Sequence, residues 1–101
     1  MKLYVEDKTT EIDGKKIDYK AIGVKVDLGS PIGEYIVGLK FETRDEKENV
    51  LNNIDIAEFD IENKVSGDKV YIRPIIKIGT ITFKPKMSQD SLTLLRLALQ
   101  K

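Results

Sequence analysis

The chain has 101 residues, 41% of them hydrophobic, with 17 basic side chains balancing 17 acidic ones and neither cysteine nor histidine. That length suits one domain with one core, spanning 1–101. The missing residue types exclude Ser-His-Asp and Cys-His catalysis, zinc fingers, iron–sulfur clusters and disulfides, so no cofactor is expected and any metal would need oxygen ligands. The chain is charged from Lys2 onward, and no apolar run approaches the roughly 20 residues of a membrane span. These features read as a soluble, cytoplasmic protein.

The dominant hydrophobic period is two, and no internal repeat or low-complexity tract stands out, so the chain reads as mainly β. Asp13-Gly14 is the signature of a type I′ hairpin turn. Pairing about it sets Glu11 opposite Lys16, Asp7 opposite Lys20, Val5 opposite Ile22 and Leu3 opposite Val24, so that opposite charges meet and apolar residues meet. A turn over Gly29-Ser30-Pro31-Ile32-Gly33 then sets Leu28 opposite Tyr35, Val26 opposite Val37, Val24 opposite Leu39 and Ile22 opposite Phe41. The polar run Arg44 to Asn49 reads as the next turn, with Ile54 and Ile56 opening a fourth strand.

In that fourth strand the apolar phase slips between Ile56 and Phe59, and in a fifth it slips at Gly79, between Ile78 and Ile81. A one-residue slip flips the core face unless a β-bulge absorbs it, and two bulged strands imply a strongly coiled sheet. Pro74 donates no N–H, so the fifth strand should lie at an edge or carry a local irregularity there. After Pro85, Ser88 is a candidate N-cap and the leucine-rich tail reads as a helix, with a strand as the competing reading because Leu95, Leu97 and Leu99 alternate. The fold expected is therefore α+β and mainly β, a strongly curved five-stranded antiparallel meander or half-barrel over 1–87 with one C-terminal amphipathic helix over 88–101.

Three features bear on function. The helix carries Leu92, Leu94, Leu95, Leu97, Ala98 and Leu99 over roughly 220° of its circumference, more than one sheet face covers. Either it sinks into the mouth of a coiled sheet or one side meets a partner, which makes Leu94, Leu97 and Ala98, or the opposite edge Leu95 and Leu99, a candidate protein interface. An exposed strand edge offers a second docking route.

The zero net charge hides segregation. Residues 44 to 63 hold two basic against seven acidic side chains, net −5, and residues 64 to 101 hold eight basic against two acidic, net +6. The outward side of the fifth strand runs through Tyr71, Arg73 and Lys77, continuing to Lys84 and Lys86. Cations with an exposed ring are what a single-stranded nucleic-acid groove needs. Against this, the acidic fourth strand adjoins the basic fifth, and either hairpin register puts Arg73 opposite Glu58 or Asp60, where ion pairs would neutralise the patch. Third, Glu58, Asp60 and Glu62 line one side of a strand in steps of about 7 Å. Without an EF-hand spacing, a Walker motif or a glycine-rich strand-to-helix turn, they read as a solvated face.

The strand Ile78-Gly79-Thr80-Ile81-Thr82-Phe83-Lys84-Pro85, with the polar cap and leucine-rich helix that follow, resembles the last strand and helix of positive-cofactor-4-like single-stranded DNA-binding proteins. The likeness covers about a quarter of the chain. It implies a curved antiparallel sheet, dimerisation through the helix and single-stranded nucleic-acid binding, and it carries over no residue roles. The residues themselves point first to a small non-enzymatic interaction module, binding a partner protein or a second copy of itself as a homo-oligomer. Single-stranded nucleic-acid binding along the basic strand is the alternative.

Overall fold

The computed structural model describes residues 2–100. Six strands and two helices follow one another as β1 (Lys2–Ile12), β2 (Lys15–Asp27), β3 (Glu34–Gly38), α1 (Arg44–Asn52), β4 (Glu58–Ser66), β5 (Lys69–Ile78), β6 (Ile81–Phe83) and α2 (Gln89–Leu99). The strands form two three-stranded antiparallel sheets, β1-β2-β3 and β4-β5-β6, in place of the single five-stranded meander expected, and no barrel closes among the described residues. Among the same residues no helix is long and apolar enough to cross a membrane.

The first hairpin follows the expected register pair for pair, from Leu3 opposite Val24 to Glu11 opposite Lys16. Asp13 and Gly14 both take positive φ, 52° and 79°, as a type I′ turn requires. The next pairing differs by two residues, with Val24 opposite Val37 and Val26 opposite Tyr35. Its loop closes on Leu28, whose N–H donates to the Gly33 carbonyl at 3.0 Å, one residue earlier than the Gly29 start expected. A two-residue slip keeps every side chain on its face, so alternation alone cannot detect it.

The run expected to be a turn is the helix α1. Thr43 caps it, its side chain accepting from the Glu46 N–H at 3.2 Å, and Asp45 and Glu46 sit in the first turn where the helix dipole favours acids. Ile54 and Ile56 then lie in the turn before β4, so the slip of phase at residue 57 is a boundary between elements and no bulge is needed. Gly79, at φ 60°, likewise marks a turn that separates β5 from a distinct β6. Pro74 is tolerated because β6 pairs only with Ile76 to Ile78, which leaves β5 an edge at the proline. The tail is helical from the expected N-cap Ser88.

One apolar cluster joins both sheets and both helices: Val24 of β2, Val37 of β3, Val50 of α1, Ile76 of β5, Phe83 of β6 and Leu95 of α2. Helix α2 packs on β2 and β3, the sheet formed by the other half of the chain. The hairpin ends project past this core, since residues 7 to 20 and 63 to 71 are exposed on both faces. These arms raise the radius of gyration to 14.9 Å, against about 13 Å for a typical 100-residue domain.

The order hairpin, short third strand, helix occurs twice, a repeat that was not visible in the sequence. Val24 pairs with Val37 and Ile76 with Phe83. Three residues after Val37 and Phe83 stand Lys40 and Lys86, which pair with each other in an antiparallel bridge. A bridge between equivalent residues is its own image under a twofold rotation, so a local twofold axis runs through it. Beyond it the caps Thr43 and Ser88 each accept from the N–H three residues on, both at 3.2 Å. Seven residues past each cap is the helix's fully buried residue, Val50 or Leu95.

Candidate functional site

Two grooves involve the bridged lysines, one lined by Lys40 and the other by Lys86. The first, about 560 Å³, lies between β2, the segment after β3, α1 and the start of α2, and its lining includes Tyr19, Lys40, Phe41, Glu42, Arg44 and Lys47. The second, about 390 Å³, lies between β5, the segment after β6 and α2, and is lined by Lys64, Tyr71, Arg73, Lys86 and Met87. Tyr19 and Tyr71 are equivalent, each five residues before the strand position, Val24 or Ile76, that pairs with the third strand. Phe41 and Met87 each follow a bridge lysine. Each groove thus combines one tyrosine with three cations at the foot of a projecting hairpin arm.

The strand pairing explains how the second groove is assembled. Lys64 stands directly opposite Tyr71, and Arg73 is two residues along on the same side of β5. The residue opposite Arg73 is Glu62, where Glu58 or Asp60 was expected. The acidic and basic strands neutralise each other only in part. Lys77 is opposite Glu58, and its Nζ lies 3.6 Å from Asp60 Oδ2. Lys86 Nζ reaches Glu42 Oε1 at 3.9 Å with both side chains mostly exposed, an ion pair worth at most about 1 kcal/mol.

In the first groove Lys47 Nζ stands 5.5 Å from the centre of the Tyr19 ring. This cation–π contact ties α1 to the foot of the first arm. Farther along the same face of the sheet, Lys25 Nζ lies 4.6 Å over the ring of Tyr4. On the opposite face of the arm, Lys20 donates to Asp7 at 2.8 Å and Thr9 to Asp18 at 2.7 Å, which holds the two strands together beyond the core.

Of the expected nucleic-acid residues, Tyr71, Arg73 and Lys86 come together in the second groove. Lys77 is drawn off by Asp60, and Lys84 is exposed outside the groove lining. Sequence reading missed Lys64, whose role depends on the hairpin register. The whole first groove is likewise invisible in the sequence, because Arg44 and Lys47 fall in the polar run that reads as a turn. The one signal available for α1 was Thr43-Arg44-Asp45-Glu46, a capping-box pattern.

The expected protein-interface residues divide. Leu95 is fully buried, and Leu94 and Ala98 pack half-buried against the core. Leu97 and Leu99 are 49% and 45% exposed, but they project from opposite flanks of α2, about 160° apart around its axis, so they form no single patch. The acidic row is dispersed as well: Asp60 accepts from the Ile61 N–H at 2.8 Å and pairs with Lys77. No group of three acidic side chains is arranged to hold a metal among the described residues. Compared with family models, curated proteins and solved structures, the chain matches none.

Proposed function

We propose that the protein binds single-stranded nucleic acid through the paired grooves. One observation carries the reading: two grooves, each with a tyrosine and three cations in its lining, are linked through the bridged pair Lys40 and Lys86, one lysine lining each groove, so that a strand could run from one to the other. Cations along phosphates supply affinity without regard to sequence, and rings at intervals take unstacked bases. The zero net charge makes this a moderate interface. Glu42, which lines the first groove, reaches Lys86, and Glu62 stands opposite Arg73, so among the described residues four of the six cations have no acidic partner.

The test is fluorescence anisotropy with a labelled oligothymidylate at low and rising salt. Four effective phosphate contacts at about 0.7 each predict a slope of log affinity on log salt of about −3. Absence of binding at low salt removes the proposal.

A second reading, protein association, draws on the arm tips. Val65 and Val70 are directly paired there and 74% and 64% exposed, and Ile12 and Ile17 are exposed on the first arm. Uncovered apolar pairs on a projecting hairpin suit a second copy or a partner. Light scattering after size exclusion tests it: association that is lost in Val65→Asp supports it, and a monomer at high concentration counts against self-association.

A further inference from the structure

The two grooves differ at one equivalent position, and the difference divides their work. Four residues past the cap the first half has Lys47 and the second has Leu92. Lys47 stands over the Tyr19 ring, so the face a base would stack on already holds a cation. Leu92 instead becomes part of the second groove's wall. That groove is floored by Pro74 and Pro85, both buried, while Met87 is half-buried beside them. Tyr71 is 45% exposed within it, and among the described residues no cation lies over its ring.

Resting on the nucleic-acid reading, we infer that the second groove is the base-binding half of the interface, with Tyr71 stacking one unpaired base against an apolar floor, and that the first groove holds the sugar–phosphate backbone. The chemistry fits this division. A base needs a ring face and dry walls, which the second groove supplies, with Lys64 and Arg73 flanking the ring to hold the adjoining phosphates. The first groove has Lys40, Arg44 and Lys47 about the Tyr19 ring, which is itself 41% exposed but has the Lys47 ammonium 5.5 Å from its centre. The ligand class is then a single strand with at least one unstacked base. A duplex keeps its bases stacked and presents phosphates and base edges, with no ring face free to stack on Tyr71.

The experiment compares an oligothymidylate with an abasic deoxyribose-phosphate oligomer of equal length, at low salt, for the wild type, Tyr71→Ala, Tyr71→Phe and Tyr19→Ala. Tyr71→Ala is expected to weaken oligothymidylate binding roughly 5- to 150-fold, with the loss confined to the oligomer that carries bases. Tyr71→Phe keeps the ring and the preference. Tyr19→Ala shifts both affinities together, so their ratio holds. If both oligomers bind but Tyr71→Ala leaves the ratio unchanged, or Tyr19→Ala abolishes it, the division of work is overturned while nucleic-acid binding stands. If the wild type binds neither oligomer, the underlying reading falls instead. Far-UV circular dichroism confirms that the variants are folded, as substitution of side chains this exposed should allow.

Discussion

Lys40 and Lys86 exchange both of their backbone hydrogen bonds: the Lys40 N–H donates to the Lys86 carbonyl at 2.8 Å, and the Lys86 N–H to the Lys40 carbonyl at 2.7 Å. Among the described residues this reciprocal pair is the only ladder step between the two sheets, and it lies at the centre of the repeat. Because the side chains of these two residues also line the two grooves, one backbone contact joins the halves of the fold and sets the spacing of the basic path.

Helix α2 should behave as a core element. Leu95 is fully buried, so Leu95→Ala should cost about 2–5 kcal/mol through lost burial and the cavity left behind. A small domain has only about 5–15 kcal/mol in total, so this is a large loss. Leu97→Glu, at a half-exposed position on the flank, should change stability by about 0.5 kcal/mol or less and leave the elution volume on size exclusion unchanged. Urea denaturation of the two variants checks the contrast.

Gly23 and Gly38 face each other across β2 and β3, yet they should respond differently to an added methyl group. A Cβ on Gly23 would lie 2.7 Å from the Val37 carbonyl oxygen, a backbone atom that cannot swing aside, whereas a Cβ on Gly38 meets nothing within 4 Å. Gly23→Ala should therefore cost about 1–3 kcal/mol, as overpacking does, and Gly38→Ala about 0.5 kcal/mol or less. At roughly 4–8 °C per kcal/mol for a domain this size, thermal melts resolve the difference.

The cap of α1 supports both stability and the first groove. Thr43→Ala removes the acceptor for the Glu46 N–H and should cost about 1 kcal/mol. The helix spans nine residues and only Val50 of it is fully buried, so its first turn has little else to hold it. Loosening that turn releases Arg44 and Lys47 from the groove. Thr43→Ser keeps the acceptor and should restore most of the loss, read as the midpoint of urea unfolding.

What could be read from residues alone followed the range of the interactions involved. Asp13-Gly14 dictates a two-residue turn, so the whole β1–β2 register was legible from one dipeptide and its flanking charges. Ser88 and the leucines after it favour a helix for α2, with the alternation of Leu95, Leu97 and Leu99 leaving a strand open until the fold is seen. The β2–β3 register slipped because its loop lacks a stereotyped turn and a shift of two residues leaves the apolar face intact. Helix α1 was hidden because it is mostly polar, with Val50 and Leu51 adjacent and no repeating apolar stripe. Missing it merged two sheets into one and concealed the repeat. Three of the eight tyrosines and cations of the candidate site were legible, since Tyr71, Arg73 and Lys86 lie on one stretch of chain. The remainder depends on Lys64 across a hairpin, and on Tyr19, Lys40, Arg44 and Lys47 brought in by the other half of the fold.

The salt dependence of oligothymidylate binding, measured for the wild type beside Lys64→Ala, Lys40→Ala and Lys84→Ala, tests the central claim most directly. Lys64 and Lys40 line the grooves and have no acidic partner among the described residues, whereas Lys84 lies outside both linings. Removing one groove cation should reduce the log–log slope by about 0.7 in either groove, and Lys84→Ala should leave it at the wild-type value of about −3. Equal slopes in all four proteins, or binding that is insensitive to salt, would contradict a nucleic-acid path through the two grooves.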